Sequence, residues 1–471
     1  MPIKETTFGV IITSRDFFNP DLALLGRKKL LNKLDGMNFR YVILKENETP
    51  NGAVETFADA EKCAELFRSH RNEIDGIIVS LPNFGNEVAV ATAIDLSGLN
   101  VPVLIHAFED DLEKMDIENR RDAFCGKISL CNNLYQRNIK YTNTSKHVCT
   151  IDSKLFEDDL KYFSRVCSVV KGLSHARVAA IGTRPDPFHT VRFSEKLLQA
   201  HGITTCTVDL SEIIFSALKM SVTDDVKRRV DEIKRYGDVP KDVDEENIIK
   251  EAKLSLVIEN WLVEHKCDAS AVQCWNSIQN NYGTATCLAM SMMTEKGMPS
   301  ACETDVLGAL SMYALYLASG EPAGYLDWNN NYMEEPDKCV CLHCSNFPKS
   351  FIGKDFEISH LDLLGETLGK DKCFGACKAT IAPGFMTFCK ISTDDKNGRM
   401  KCYVGEGKFT NDPVDTKGGV AVCKINNLQE LMHYICDNGF EHHISMNRSK
   451  SSLVLKEAFE KYLGWETYRH C

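Results

Sequence analysis

Apolar residues in the first third of the chain fall in short unbroken runs: "FGVIIT" (8–13), "RYVILK" (40–45), "DGIIVSL" (75–81) and "VPVLIHA" (101–107). Runs of that length, rich in β-branched residues, fit strands covered on both faces. Between them, "DLALLGRKKLLNKL" and "DAEKCAELFRSHRN" carry apolar residues at helical spacing. Strands alternating with helices predict a parallel, doubly wound sheet. An amphipathic helix around 155–171 is expected to lead into a second α/β unit, with strands in "ARVAAIGTRPDPF" (176–188), "ITTCTVDL" (203–210) and "DASAVQCW" (268–275). Residues 223–266 are charged and helical, and their charges are expected to form solvated faces.

From about 336 the pattern changes. "KCVCLHC", "CKATIAP", "MTFCKIST", "MKCYVGEGKFT" and "GGVAVCKI" are short strands separated by Gly, Pro, Asn and Asp, which predicts an antiparallel β domain, sandwich or barrel. A helix ("NLQELMHYICDNG"), then "FEHHISMNRS", then a terminal helix ("SLVLKEAFEKYLG") complete the chain. The expected architecture is two doubly wound α/β domains, a Rossmann-like one over 1–171 and a second over 172–335, followed by a β-rich, barrel-like domain over 336–471.

Composition narrows the function. With 471 residues, 44% apolar and 26% charged, the chain reads as a globular protein of several domains. A net charge of −11, with basic clusters that are short and mixed with acids, argues against nucleic acid or an anionic membrane as partner. No run of about 18 apolar residues occurs, and "MPIKETTFGVIITS" enters a strand almost at once, so a cytoplasmic location is expected. No G-x-G-x-x-G follows the first strand, which weakens a nicotinamide-dependent oxidoreductase reading. The 20 cysteines are scattered, so reduced thiols are expected. Cys339, Cys341, Cys344, Cys373 and Cys377 lack the paired spacing of a structural zinc site, and buried thiols in a β domain account for them better.

One segment carries chemistry. In "GMPSACETDVLGALSMYALYLASGEPAGYLDW" a short strand leads to Glu303 and Asp305, a helix apolar on nearly every face follows, and a second strand leads to Asp327. If the helix is a crossover between parallel strands, both carboxylates arrive at the carboxyl edge of one sheet, where open α/β folds bind ligands. Thr304 is well placed as the N-cap, with Glu303 near the positive end of the helix. Two acids in apolar surroundings are tolerable if they share a proton or coordinate a cation. With an imidazole added, such a set leaves positions open on Mn²⁺, Mg²⁺ or Co²⁺. The competing reading is a helix cap and a solvated strand end.

At these residues the chain resembles the L-fucose isomerase/L-arabinose isomerase family of metal-dependent aldose–ketose isomerases. That family carries a metal-binding Glu, an apolar helix, then a metal-binding Asp at the separation seen from Glu303 to Asp327, 24 positions. A third ligand is a His in the C-terminal β domain, for which "NGFEHHISMNRS" offers His442 and His443, the local alignment favouring His443. "CETD" departs from the L-fucose isomerase motif, which puts L-fucose itself in doubt. "CLHCSNFP" sets His343 where L-arabinose isomerases have an extra His: a fourth ligand, a sugar-hydroxyl contact or a buried structural residue.

The resemblance implies proton transfer between C1 and C2 of an open-chain sugar through an enediolate, with Glu303 and Asp327 as both metal ligands and general base and acid. It also implies a homo-oligomer, trimer or hexamer, in which Arg15 resembles an arginine presented across a subunit interface. Trp275 and Gln279, four apart beyond a strand end, can stack on a sugar face and bond its hydroxyls, or be core. Arg184 is either a ligand contact or a turn anchor. The alternative function is a non-catalytic sugar-binding or regulatory protein on the same framework, separable by its metal content.

Overall fold

The computed structural model describes residues 5–353, 356–416 and 418–471. The described residues up to Lys171 form one compact unit and Gly172–Cys471 a second. In the first, strands β1 (Thr7–Ile12), β2 (Arg40–Val42), β3 (Gly76–Leu81), β4 (Val103–Ala107) and β5 (Thr142–Asn143) form a sheet in the order β2-β1-β3-β4-β5. All of its pairings are parallel. β1, β3 and β4 are buried at every position, as their unbroken apolar runs require. "RYVILK" pairs over only three residues, because it is an edge strand whose residues are half exposed.

The second unit holds two sheets. β6 (Arg177–Ile181), β7 (Thr204–Val208), β8 (Ala269–Val272) and β9 (Ser300–Cys302) make a parallel sheet in the order β7-β6-β8-β9. The other sheet contains β10 (Ala323–Tyr332), β11 (Glu335–His343), β12 (Glu357–His360), β13 (Phe374–Thr380), β14 (Gly384–Asp394), β15 (Arg399–Phe409), β16 (Gly419–Lys424), β17 (His443–Asn447) and β18 (Glu466–Arg469). Within it, β16-β11-β10-β17-β14-β15 closes back onto β16, giving a ring of six strands with antiparallel pairing throughout. Closure removes the exposed edges that a β-rich domain must otherwise protect. The margins are not antiparallel: β13 joins β16, and β18 joins β15, in parallel.

One expectation is corrected here. β9 and β10 are not neighbours in one parallel sheet; β10 lies in the ring, antiparallel to β11 and β17. The helix between them, Val306–Ser319, is buried at all but two positions and packs on β6, β8 and β9 on one side and β14 and β17 on the other. An all-round apolar helix needs cover on every face, and two sheets supply it. The carboxylates therefore reach a common place from two different sheets.

Of the clustered thiols, Cys339, Cys341, Cys373 and Cys377 are buried and Cys344 is half-buried. Among the described residues, the groups able to hold a metal ion contain no cysteine. Among the same residues, no helix is long and apolar enough to cross a membrane.

Candidate metal centre

β9 ends at Cys302 and the chain turns sharply. Glu303 (φ 62°) and Thr304 (φ 58°) both adopt the left-handed conformation, which costs non-glycine residues roughly 1–2 kcal/mol each. Strain of this kind persists where the surroundings over-determine it, and such places are often functional. The turn is fixed by Thr304 N–H on the Val272 carbonyl (3.2 Å) and Asp305 N–H on the Cys302 carbonyl (3.1 Å). It defers the helix start by one residue, so Asp305, not Thr304, is the N-cap, its Oδ1 accepting from Gly308 N–H at 2.8 Å.

The other wall comes from the register of the ring. Asp327 on β10 lies directly opposite His443 on β17 and opposite Leu342 on β11, whose next residue is His343. His443 Nε2 lies 3.2 Å from Glu303 Oε2 and 3.5 Å from Asp327 Oδ1. Glu303, His343 and His443 each offer one ligand atom, all within 4.8 Å of one another, and so do Asp327, His442 and His443. His443 Nε2, Asp327 Oδ1 and His343 Nδ1 are buried and have no hydrogen-bond partner among the described residues. Orphaned donor atoms that converge in this way suit a cation, since each would otherwise be desolvated without compensation.

Asp305, Tyr325 and Lys390 hold the imidazole from behind. Asp305 Oδ2 accepts from the Tyr325 hydroxyl (2.7 Å) and lies 3.1 Å from His443 Nδ1, with Tyr325 OH 2.5 Å from the same nitrogen. A carboxylate on Nδ1 sets the tautomer that leaves the Nε2 lone pair for a metal. Lys390 Nζ, fully buried, stands 3.6 Å from both Asp305 Oδ2 and Glu441 Oε2. Burial would raise the Asp305 pKa, but the Lys390 charge and the His443 and Tyr325 bonds hold it well below the usual carboxylate range. Burial opposes a charged His443, yet the Asp305 carboxylate on Nδ1 and the Glu303 carboxylate beside Nε2 push its pKa up to about 9. Asp327 is pushed up to about 6, chiefly by burial and against the pull of His443. Burial, with the neighbouring histidines, takes His343 well below its ordinary value, and likewise takes His442 down to about 4.

The remaining expected contacts are dispersed. Arg184 follows β6 and donates to the Pro185 and Asp186 carbonyls (3.0 and 2.7 Å) while lining a cavity of ≈ 750 Å³ that also includes Thr304. Trp275 packs edge-on to Phe188, and Gln279, buried, spends its amide N–H on the Cys274 carbonyl at 2.8 Å. Arg15 belongs to the first compact unit, where it pairs with Glu87 and lies 4.3 Å from the Phe84 ring centroid. Tyr325, Lys390 and Glu441 were not singled out in the sequence, and Asp305 was named there beside Glu303 without a role of its own. Lys390 left a signal, a lone cation inside the apolar strand "MTFCKIST", and lysine is seldom fully buried without a partner.

Sheet edge, closed β ring and carboxylates beside an imidazole define a class: α/β proteins with a β-barrel-like layer and, between the two, side chains that could hold a metal ion. The description "fucose/sulfoquinovose isomerase, N-terminal domain" matches residues 9–174, and "L-fucose isomerase, C-terminal domain" matches residues 341–470. The chain belongs to the L-fucose isomerase-like family. Glu303 and Asp327 fall between the two matched segments, while His343 and His443 fall inside the second. Among curated relatives, sulfoquinovose isomerases from Priestia aryabhattai and Priestia megaterium are each 26% identical over 304 residues, covering 63% of this chain and 65% of theirs. One from Alkalicoccus urumqiensis is 24% identical over 322 residues, covering 65% of this chain and 68% of its own. Among solved structures, an ABC transporter solute-binding protein from Burkholderia multivorans aligns over 67% of this chain and 94% of its own at 10% identity, with a TM-score of 0.18, too low to bear on the argument.

Proposed function

We propose that the protein is an aldose–ketose isomerase that moves a proton between C1 and C2 of an open-chain monosaccharide, using a divalent cation held by Glu303, Asp327 and His443. The observation that carries this reading is the buried His443 Nε2 lying 3.2 Å from one carboxylate and 3.5 Å from the other. Mn²⁺, with Mg²⁺ or Co²⁺ as substitutes, suits two carboxylates and an imidazole and supplies Lewis-acid polarisation of the substrate carbonyl.

The chain's own groups do the rest. Glu303 enters from the α/β sheet and Asp327 from the ring, so one carboxylate can take the proton from carbon while the other serves the oxygens. A pKa pushed up to about 6 puts Asp327 in the range where a carboxyl both takes and returns protons near neutrality. Asp305 and Tyr325 fix the imidazole. His343, kept neutral, is offered as a further ligand or a hydroxyl contact, and Trp275, Gln279 and Arg184 as sugar contacts. The reaction is internally balanced, aldehyde reduced as the neighbouring carbinol is oxidised, so no external redox partner is needed. A homo-oligomer, trimer or hexamer, in which Arg15 of a neighbouring copy reaches the sugar, and a cytoplasmic location complete the proposal.

The relatives are named sulfoquinovose isomerases, so sulfoquinovose heads the aldoses to be screened. Turnover should vanish on chelation and return with Mn²⁺, and Glu303→Gln or Asp327→Asn should abolish it. Full activity in metal-stripped protein, or in either variant, would end this reading.

A further inference from the structure

The register that sets His443 opposite Asp327 also brings the preceding residue to the same carboxylate. His442 lies just before β17, and its carbonyl accepts Trp328 N–H at 3.2 Å, so its backbone carries the β10–β17 ladder one position further. Its Nε2 stands 3.7 Å from Asp327 Oδ1, and its Nδ1 lies 3.2 Å from the Thr190 hydroxyl. The cation proposed above rests on Glu303, Asp327 and His443 and makes no use of this second imidazole.

The ligand atoms of Asp327, His442 and His443 lie within 4.8 Å of one another, a different set from Glu303, His343 and His443. Two of its edges are 3.7 Å, from His442 Nε2 to Asp327 Oδ1, and 3.5 Å, from His443 Nε2 to the same oxygen. Bonds of about 2.1 Å meeting at a tetrahedral angle hold their donor atoms about 3.4 Å apart, close to both edges. The inner edge, from His443 Nε2 to Glu303 Oε2, is shorter at 3.2 Å. Two ring nitrogens with one carboxylate oxygen suit Zn²⁺ better than Mn²⁺ or Mg²⁺, which favour oxygen. The two sets also differ in access. The His442 side chain is 51% exposed, whereas those of Glu303 and His443 are 7% and 0%. An ion held beside His442 would keep a position open to water.

Building on the isomerase reading, we infer that Asp327, His442 and His443 form a second, outward-facing position for a tetrahedral, nitrogen-preferring divalent cation of the Zn²⁺ class, filled only when the inner position is empty. The exclusion follows from valence: His443 Nε2 has one lone pair, and Nδ1 is committed to Asp305 and Tyr325. Thr190 is a positioning residue. With His442 Nδ1–H donating to its hydroxyl oxygen, the Nε2 lone pair is left for the ion. Zn²⁺ in the outer position therefore takes the shared imidazole away from the catalytic cation and inhibits by competing with it.

The test is a pair of calorimetric titrations, Zn²⁺ and Mn²⁺ each into metal-stripped full-length protein, in wild type, His442→Ala and Glu303→Gln. His442→Ala should weaken Zn²⁺ roughly tenfold or more and leave Mn²⁺ within about twofold, and Glu303→Gln should do the opposite. Zn²⁺ added to Mn²⁺-loaded wild type should release Mn²⁺ ion for ion, read from the spin-resonance signal of free Mn²⁺, and His442→Ala should need correspondingly more Zn²⁺. Zn²⁺ affinity indifferent to His442→Ala, equal losses of both metals in that variant, or both ions bound at once would overturn the assignment. The two readings fail separately. Zn²⁺ binding that His442→Ala weakens, in a protein that takes up no Mn²⁺ and turns over no aldose, keeps the outer position and removes the isomerase; Mn²⁺-dependent turnover with Zn²⁺ indifferent to His442→Ala does the reverse.

Discussion

Asp305 performs three tasks with one carboxyl group: Oδ1 caps the helix Val306–Ser319, while Oδ2 meets both Tyr325 and His443. Asp305→Asn keeps a capping oxygen but removes the acceptor behind the imidazole, and it leaves Lys390 with Glu441 alone. Metal affinity should fall roughly 10- to 100-fold, and thermal stability should fall too, because a buried ammonium loses a partner. The double variant Asp305→Asn/Lys390→Met should regain stability without regaining affinity, as calorimetric titration and thermal melts would show. Recovery of both would make Asp305 a stability residue only. This residue lay in plain view in "CETD", but capping rules pointed to Thr304. They did not foresee two successive left-handed residues, a conformation that the tertiary site imposes and no local propensity favours. Glu303, Asp327 and His443 were nominated by chemical type and by the resemblance to the isomerase family, and their side chains lie near one another in the structure. Lys390 was not, since whether a strand lysine points inward depends on the register of a distant ring.

The helix Val306–Ser319 shows what periodicity can and cannot say. Its apolar circumference announced burial, but not that the burial lay between two different sheets, so β10 was expected beside β9. Gly308 marks how tight the fit is: a Cβ there would lie 2.4 Å from Tyr325 Cε2 and 2.8 Å from Asp305 Oδ2. Helix propensity alone favours alanine by about 1 kcal/mol. The clash should win, and Gly308→Ala is expected to lower metal affinity at least tenfold by displacing the tyrosine that steadies His443; unchanged affinity would show that Tyr325 is dispensable. A second helix, Glu245–Glu264, carries fully buried Glu251, whose pKa burial pushes up to about 8. Thr284 Oγ1 lies 2.9 Å from both Glu251 Oε2 and the Phe374 carbonyl and has one proton to give. A protonated Glu251 satisfies all three groups by donating to Thr284. The folded state thus keeps a proton that the unfolded chain has lost, and the stability it contributes is lost as pH rises through about 8. Melting temperature should fall between pH about 5 and about 9, and Glu251→Gln should flatten that slope; an unaltered slope would place the titration elsewhere.

At the scale of the molecule, the α/β pattern and the β-rich, barrel-like sheet that follows it were legible from periodicity and turn residues, while the pattern change placed near residue 336 missed β10, which already belongs to the ring. The site itself was legible only as a list of chemistries, since sheet edge and ring converge through contacts distant in sequence. The convergence also dictates a pH dependence for metal uptake. His443, held near 9, and Asp327, near 6, must each release a proton, so affinity should climb as pH rises across that interval. The most direct measurement is a calorimetric titration of Mn²⁺ into metal-stripped protein, in wild type and in Glu303→Gln, Asp327→Asn and His443→Ala. One ion per chain in wild type, with affinity collapsing in each of the three variants, is the expected result. No uptake by wild type, or uptake undiminished in the variants, would contradict a shared cation at these residues.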